Sequence, residues 1–276
     1  MTDEQLLSLQ KIANDIRISI ITMLETAGSG HTAGALGMAD IFTALYFHVL
    51  KHDPKNPTWE ERDRVILSNG HIAPVLYGTM AHAGYFPLEE LATLRKFGSR
   101  LQGHPDRLFL PGIENTSGPL GSGLSQASGM ALAFQMDRKD NHVYCLMSDG
   151  ELQEGNTWEA IMFAGHKKLS NLTAIIDRNN IQIDGMTDDV LTLEPLVDKW
   201  RAFNWNVIEI DGHDIEAFIN ACETAKSFKE KPTVIIAKTI SGKGVVEIEG
   251  DYRWHGKPPS TEEKDKWVNE LEDSIR

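Results

Sequence analysis

Asp149 and Asn179 are the two side chains of this sequence most suited to doing chemistry together. They stand thirty residues apart, each shortly after an apolar run, HVYCLM (142–147) and LTAIID (172–177). If those runs are adjacent parallel strands, both side chains overhang one crevice at the strands' carboxyl ends, where open α/β sheets bind ligands. A carboxylate, an amide oxygen and a nearby backbone carbonyl make a hard, all-oxygen ligand set. That set suits Mg²⁺ or Ca²⁺, and Mg²⁺ usually fills its remaining positions with phosphate oxygens and water. Gly150 lets a phosphate approach the backbone closely. A helix opening near Asn156 would aim its free N–H groups at the same anion. Taken singly, Asp149 is a turn residue and Asn179-Asn180 a loop; their pairing at this spacing favours a diphosphate–metal site.

The elements that must position them can be read from the pattern. Residues 4–27 carry Leu9, Ile12, Ile16, Ile20 and Leu24 at helical spacing, closed by Gly28-Ser-Gly30. Residues 37–50 are expected to form a buried helix, and 87–98, opened by Pro87 and closed by Gly98, another. Short apolar strands are expected at 64–71, 142–147, 172–177, 205–210 and 232–238, with helices between them at 117–139, 156–169 (Asn156 as N-cap), 194–203 and 213–227. Apolar strands alternating with amphipathic helices predict an α/β fold, three layers, with a mostly parallel sheet and helices on both faces. One domain over 1–276 is the simplest organisation, with the charged residues from about Pro258 on the surface. Gly28-Ser-Gly30-His-Thr-Ala33 matches the dinucleotide fingerprint formally but follows a helix pattern, so it is rejected. No phosphate-binding P-loop, H-E-x-x-H or paired C-x-x-C motif occurs.

Composition excludes several classes. The net charge of −13 argues against nucleic acid and anionic membranes as partners. No apolar run approaches the ~18 residues of a membrane span, and the N-terminus lacks a signal-peptide pattern. A cytoplasmic protein is expected, with Cys145 and Cys222 as core residues.

An acid-Gly pair followed after about thirty residues by Asn resembles the thiamine-diphosphate motif, with Ser148 where Gly is usual. Further blocks narrow the likeness: SGHTAGALGMADI, HDPKNPTWEERDRVILSNGH, QGHP, TSGPLGSGLSQASGMALA, SDGELQEGNTWEA, DRNNIQIDG, KTISGKG and WHG. In this order, over most of the chain, they resemble the N-terminal, diphosphate-binding domain of transketolase. The alpha chain of a 2-oxoacid dehydrogenase shares the metal motif but not the SNGH, GHP and WHG histidines.

The resemblance implies a thiamine-diphosphate-binding fold and roles residue by residue. Asp149, Asn179 and the Ile181 carbonyl match metal ligands for Mg²⁺, with Ca²⁺ or Mn²⁺ as substitutes. Gly118, Leu120 and Gly150 match positions along the diphosphate and thiazolium, Ile183 and Ile240 apolar contacts to that ring, and Glu154 a subunit-interface glutamate near the cofactor. His31, His71, His104 and His255 match four active-site histidines that bind substrate and move protons, His71 and His255 also touching the cofactor. Glu151 has no such match and is expected to be solvated. His48, His52, His82, His142, His166 and His213 are read as ordinary surface or core histidines. Thr32, where the family has Pro, is expected to loosen its loop, and Asn180 to take a positive φ. The pyrimidine-binding half and the sugar-phosphate grip lie in later transketolase domains. The expectation is therefore the N-terminal subunit of a split transketolase. A separate C-terminal chain would complete each site in an α2β2 assembly acting on sugar phosphates, such as xylulose 5-phosphate in the pentose phosphate pathway; a specialised transketolase for another sugar or sulfosugar phosphate is the near alternative.

Overall fold

The computed structural model describes residues 1–273. Helix α1 (Asp3–Ala27) opens on a capping box, the Thr2 hydroxyl accepting the Gln5 N–H while the Gln5 side chain accepts the Thr2 N–H. It ends at Gly28, whose φ of +63° supplies the left-handed cap. The glycines at 28 and 30 thus follow a helix, as the sequence pattern requires for rejecting a dinucleotide site.

The helix expected over 37–50 runs as α3 (Ala39–Ala44) continuing into a π-helical turn, Leu45–Val49, and a separate short helix, α2 (Ala33–Gly37), precedes it. At Gly37, the last residue of α2, a Cβ would lie 2.8 Å from the Ile240 carbonyl oxygen, so the backbone is pressed against the 240s loop there. Strand β1 (Arg64–Leu67) and helix α4 (Ala73–His82) follow. The helix expected over 87–98 is only a 3₁₀ segment, Leu88–Thr93. Leu94 leaves helical geometry, and Arg95, at φ +60°, turns the chain so that its N–H reaches the Leu101 carbonyl.

The remaining elements are α5 (Gly123–Met136), β2 (Val143–Ser148), α6 (Gly155–Lys167), β3 (Leu172–Arg178), the short hairpin β4 (Ile181–Gln182) and β5 (Gly185–Met186), α7 (Thr187–Leu191), α8 (Leu196–Ala202), β6 (Asn206–Asp211), α9 (Ile215–Ser227), β7 (Thr233–Lys238) and α10 (Thr261–Asp273). The N-cap of α6 is Glu154 rather than Asn156, which lies inside the first turn. Nor is the charged C-terminal stretch wholly superficial: α10 buries Trp267 and Leu271, and the Leu271 carbonyl accepts from Asn14 of α1.

The five long strands form one parallel sheet in the order β1-β2-β3-β7-β6. Alternation along the strands divides the core. Tyr144, Leu146, Ile175 and Ile235 join α1, α3, α4 and α9 on one face. Val143, Cys145, Met147, Ala174 and Ile176 join α5, α6 and α8 on the other. Both cysteines are buried and free. A sheet covered on both faces leaves its strand ends as the place where polar side chains can meet a ligand.

Candidate active site

Ser148, the last residue of β2, is the register partner of Asp177 on β3. Asp149, Arg178 and Asn179 therefore leave the sheet side by side. Asp149 is fully buried. Its Oδ1 accepts the Gly150 N–H at 2.8 Å; its Oδ2 accepts the Asn180 N–H at 2.6 Å and the Arg178 guanidinium at 3.1 Å. Asn180 sits at φ +62°, as expected. The Asn179 amide is also fixed, its Nδ2 donating to Asp177 at 2.9 Å and its Oδ1 accepting the Ile181 N–H at 2.9 Å.

Burial dominates the electrostatics. It raises the Asp149 carboxyl to about 6 in spite of Arg178, and raises Asp177 and Glu151 to about 7 each. Of the three buried carboxylates at the ends of β2 and β3, Asp149 pairs with the buried Arg178 guanidinium, which also meets Glu194 at 3.0 Å. The Asp149 carboxyl, with the Asn179 amide oxygen and the Ile181 carbonyl near it, makes an all-oxygen donor set that fits a divalent cation. Gly150 is packed against β4: a Cβ there would meet the Gln182 Cβ at 3.0 Å and the Ile181 carbonyl oxygen at 3.9 Å.

Above Asp149 lies a cavity of about 480 Å³, whose lining brings together His31, His71, His104, His255, Gly118, Leu120, Gly150, Glu154, Asn179, Ile181 and Ile183. Asp149 is beneath it and Ile240 outside it: Ile240 lines a neighbouring cleft with Asp211, His213 and Thr239. Ser148, Gln153, Asp177 and Gln182 also line the cavity. Of these Asp177, an acid closing an apolar strand, carried a signal in the sequence that Asn179 overshadowed.

The rings of His31, His71 and His255 form a triangle with centroids 5.0, 5.4 and 5.1 Å apart. Burial first, then the neighbouring histidines and Arg95, lowers His31 to about 4. Burial and its neighbours hold His71 well below the ordinary imidazole value; burial lowers His255, and burial with Arg95 lowers His104. Near neutral pH these rings are uncharged, each offering one N–H and one lone pair. The buried His31 Nδ1 has no partner. A cluster of neutral donor–acceptors suits a ligand rich in hydroxyls.

Two expectations are overturned here. Glu151 is fully buried, not solvated, because the Ser68 hydroxyl and the backbone N–H groups of Gly121 and Ser148 all donate to it. Thr32 does not loosen its loop: it is buried, and its hydroxyl donates to the Lys257 carbonyl at 2.7 Å. The other six histidines lie outside the cavity. His52, His82, His142 and His213 have hydrogen-bond partners in the fold, and His48 and His166 are exposed.

The family described as "Transketolase, thiamine diphosphate binding domain" matches residues 8–271. The chain belongs to that family. A 6-deoxy-6-sulfo-D-fructose transketolase subunit of Clostridium sp. (strain MSTE9) is 46% identical over 269 residues, covering 98% of both chains. An apulose-4-phosphate transketolase subunit of Phocaeicola vulgatus is 40% identical, covering 98% of this chain and 95% of that one. The crystal structure of Campylobacter jejuni transketolase superposes with a TM-score of 0.89 at 38% identity, over 97% of this chain and 42% of that one. Beside such full-length transketolases, rat included, the chain spans about 43% of their length.

Proposed function

We propose that this chain is the N-terminal subunit of a two-chain transketolase, binding the diphosphate end of thiamine diphosphate through Mg²⁺. The observation that carries the proposal is one cavity whose lining includes Asn179, Ile181 and four neutral histidines, with the buried Asp149 between its lining residues Ser148 and Gly150. Asp149, Asn179 and the Ile181 carbonyl would hold the metal, for which Ca²⁺ or Mn²⁺ could substitute. Gly118, Leu120 and Gly150 would follow the diphosphate, and Ile183 the thiazolium. When bound, the cofactor supplies the carbanion chemistry that moves a two-carbon ketol unit. The protein's own work is to orient a ketose phosphate and an aldose phosphate by their hydroxyls and to pass protons through His31, His71, His104 and His255.

Relatives of the same length named as subunits support a partner chain, expected to bring the pyrimidine-binding half in an α2β2 assembly. The polypeptide that co-purifies with a tagged form of this chain should identify the partner. The pair, given thiamine diphosphate and Mg²⁺, should transfer ketol groups from xylulose 5-phosphate to an aldose phosphate. Full transfer by the isolated chain would overturn the two-chain reading. A second reading has its own support: the 46% identical relative is named for a sulfosugar. A kcat/KM for 6-deoxy-6-sulfofructose at least about tenfold above that for xylulose 5-phosphate would select a specialised enzyme over one of the pentose phosphate pathway. Asp149→Asn should abolish Mg²⁺-dependent cofactor binding, read by calorimetry on the assembled pair; retained binding would remove Asp149 from the metal.

A further inference from the structure

The glycine-rich loop 118–122 carries two residues of the cavity wall, Gly118 and Leu120, yet it has little of its own to hold it there. The Ser122 hydroxyl bonds within the loop, to the Pro119 carbonyl. Among the described residues one hydrogen bond ties 118–122 to another part of the fold: the Gly121 N–H donates to Glu151 Oε1 at 2.6 Å. The same carboxylate accepts the Ser68 hydroxyl at the end of β1 and, on its other oxygen, the Ser148 N–H at the end of β2. Ser68 Oγ in turn accepts the Gly123 N–H at 3.0 Å, where α5 begins. The Glu151 carbonyl accepts the Thr157 hydroxyl of α6 at 3.1 Å. One buried residue therefore joins the ends of two strands to the loop and to the starts of two helices.

Packing brings the loop close against its neighbours. A Cβ on Gly121, which sits at φ +83°, would collide with the Asn156 amide, and one on Gly123 would collide with Ser68. The loop is pressed onto Ser68 and Asn156 and is closed by Glu151. A carboxylate suits this place because every neighbouring group is a donor: it accepts at both oxygens, whereas an amide must present one N–H₂ to an N–H.

We infer that Glu151 is a positioning residue for cofactor binding: it holds the Gly118–Leu120 backbone at the height the diphosphate requires, without touching the reacting atoms. This rests on the cofactor reading of the cavity. It predicts a particular division of effects. Fixing a loop whose proposed contact is the diphosphate changes chiefly the affinity for the cofactor, while turnover with the site filled stays close to what it was.

The test is Glu151→Gln in the chain assembled with its partner subunit, with thiamine diphosphate and Mg²⁺ titrated. The expected result is an apparent Kd for the cofactor raised about tenfold or more, with kcat at saturating cofactor within about twofold of wild type. Sugar KM values should not move. A cofactor Kd within twofold of wild type, or a fall in kcat at saturation with Kd unchanged, overturns the inference. Should Glu151→Gln fail to fold or assemble, Ser68→Ala removes one donor and the Gly123 acceptor while keeping the carboxylate. It should raise the cofactor Kd about threefold, and an unchanged Kd overturns the inference equally. The wild-type assembly is the control for the underlying reading: if it binds no thiamine diphosphate, the proposed function fails before Glu151 is tested.

Discussion

His31, His71 and His255 are held uncharged near neutral pH. Three rings about 5 Å apart, mostly buried, repel each other's protons and lose hydration on charging. The sign of the consequence is definite. An imidazole held at about 4 in the folded chain and near 6.5 when unfolded contributes stability above pH ~6.5 that is lost as pH falls toward 4. In NMR titrations the His31 ring, assigned by its disappearance in His31→Gln, should titrate near 4; a midpoint near 6.5 would contradict its burial among the other histidines. The same variant, and His255→Gln, should lose ketol transfer by at least about 10²-fold with cofactor binding largely kept. Equal activity in both variants would take these rings out of the chemistry. These histidines were legible in the sequence because each lies inside a dense, ordered block. Glu151 was not. Its neighbours along the chain suggest a solvated turn acid, and its burial is imposed by Ser68 and Gly121, segments distant in sequence that meet it only in the folded sheet.

At the scale of elements, the strands were legible and the short helices were not. Apolar runs of five or six residues at regular intervals have few other uses in a covered sheet, so β2 and β3 were legible as strands, while their pairing, which sets Asp149 beside Asn179, stood as a condition that the fold meets. The close approach of Gly37, at the end of α2, to the Ile240 carbonyl is a contact no local pattern carries. The Thr32–Lys257 hydrogen bond is of the same kind. It joins the loop before α2, which carries His31, to the loop before α10, which carries His255, and so fixes the third side of the histidine triangle. The Pro found here in the family has no hydroxyl to make it. Thr32→Val keeps the shape, removes the donor and leaves the Lys257 carbonyl unmet. It should cost about 1 kcal/mol in denaturant unfolding and lower kcat several-fold. Thr32→Ser should restore both, and a fully active Thr32→Val would show that other contacts hold the two loops.

For the whole molecule, the question is what faces the open side of the cavity. Ile183, on its rim, is 65% exposed, and Met186, Val190 and Leu191 follow at 36%, 46% and 57%. Single exposed apolar side chains are ordinary, but four within nine residues, beside the cavity, form a cluster of the kind that interaction surfaces carry. The segment is tied to the cavity wall, since the Gln153 side chain donates to the Leu191 carbonyl. Among the described residues no helix is long and apolar enough to cross a membrane, and the net charge of −13 disfavours an anionic lipid surface. A partner chain presenting an apolar face fits both facts and the two-chain reading. Amides of 181–191 should therefore exchange hydrogen more slowly in the assembled pair than in the isolated chain, with cofactor absent from both. Leu191→Glu should leave the isolated chain's Tm within about 2 °C, because the side chain is already in water. In a titration of one chain with the other it should weaken assembly by about tenfold or more. Unchanged exchange together with wild-type assembly of Leu191→Glu would place the partner on another face.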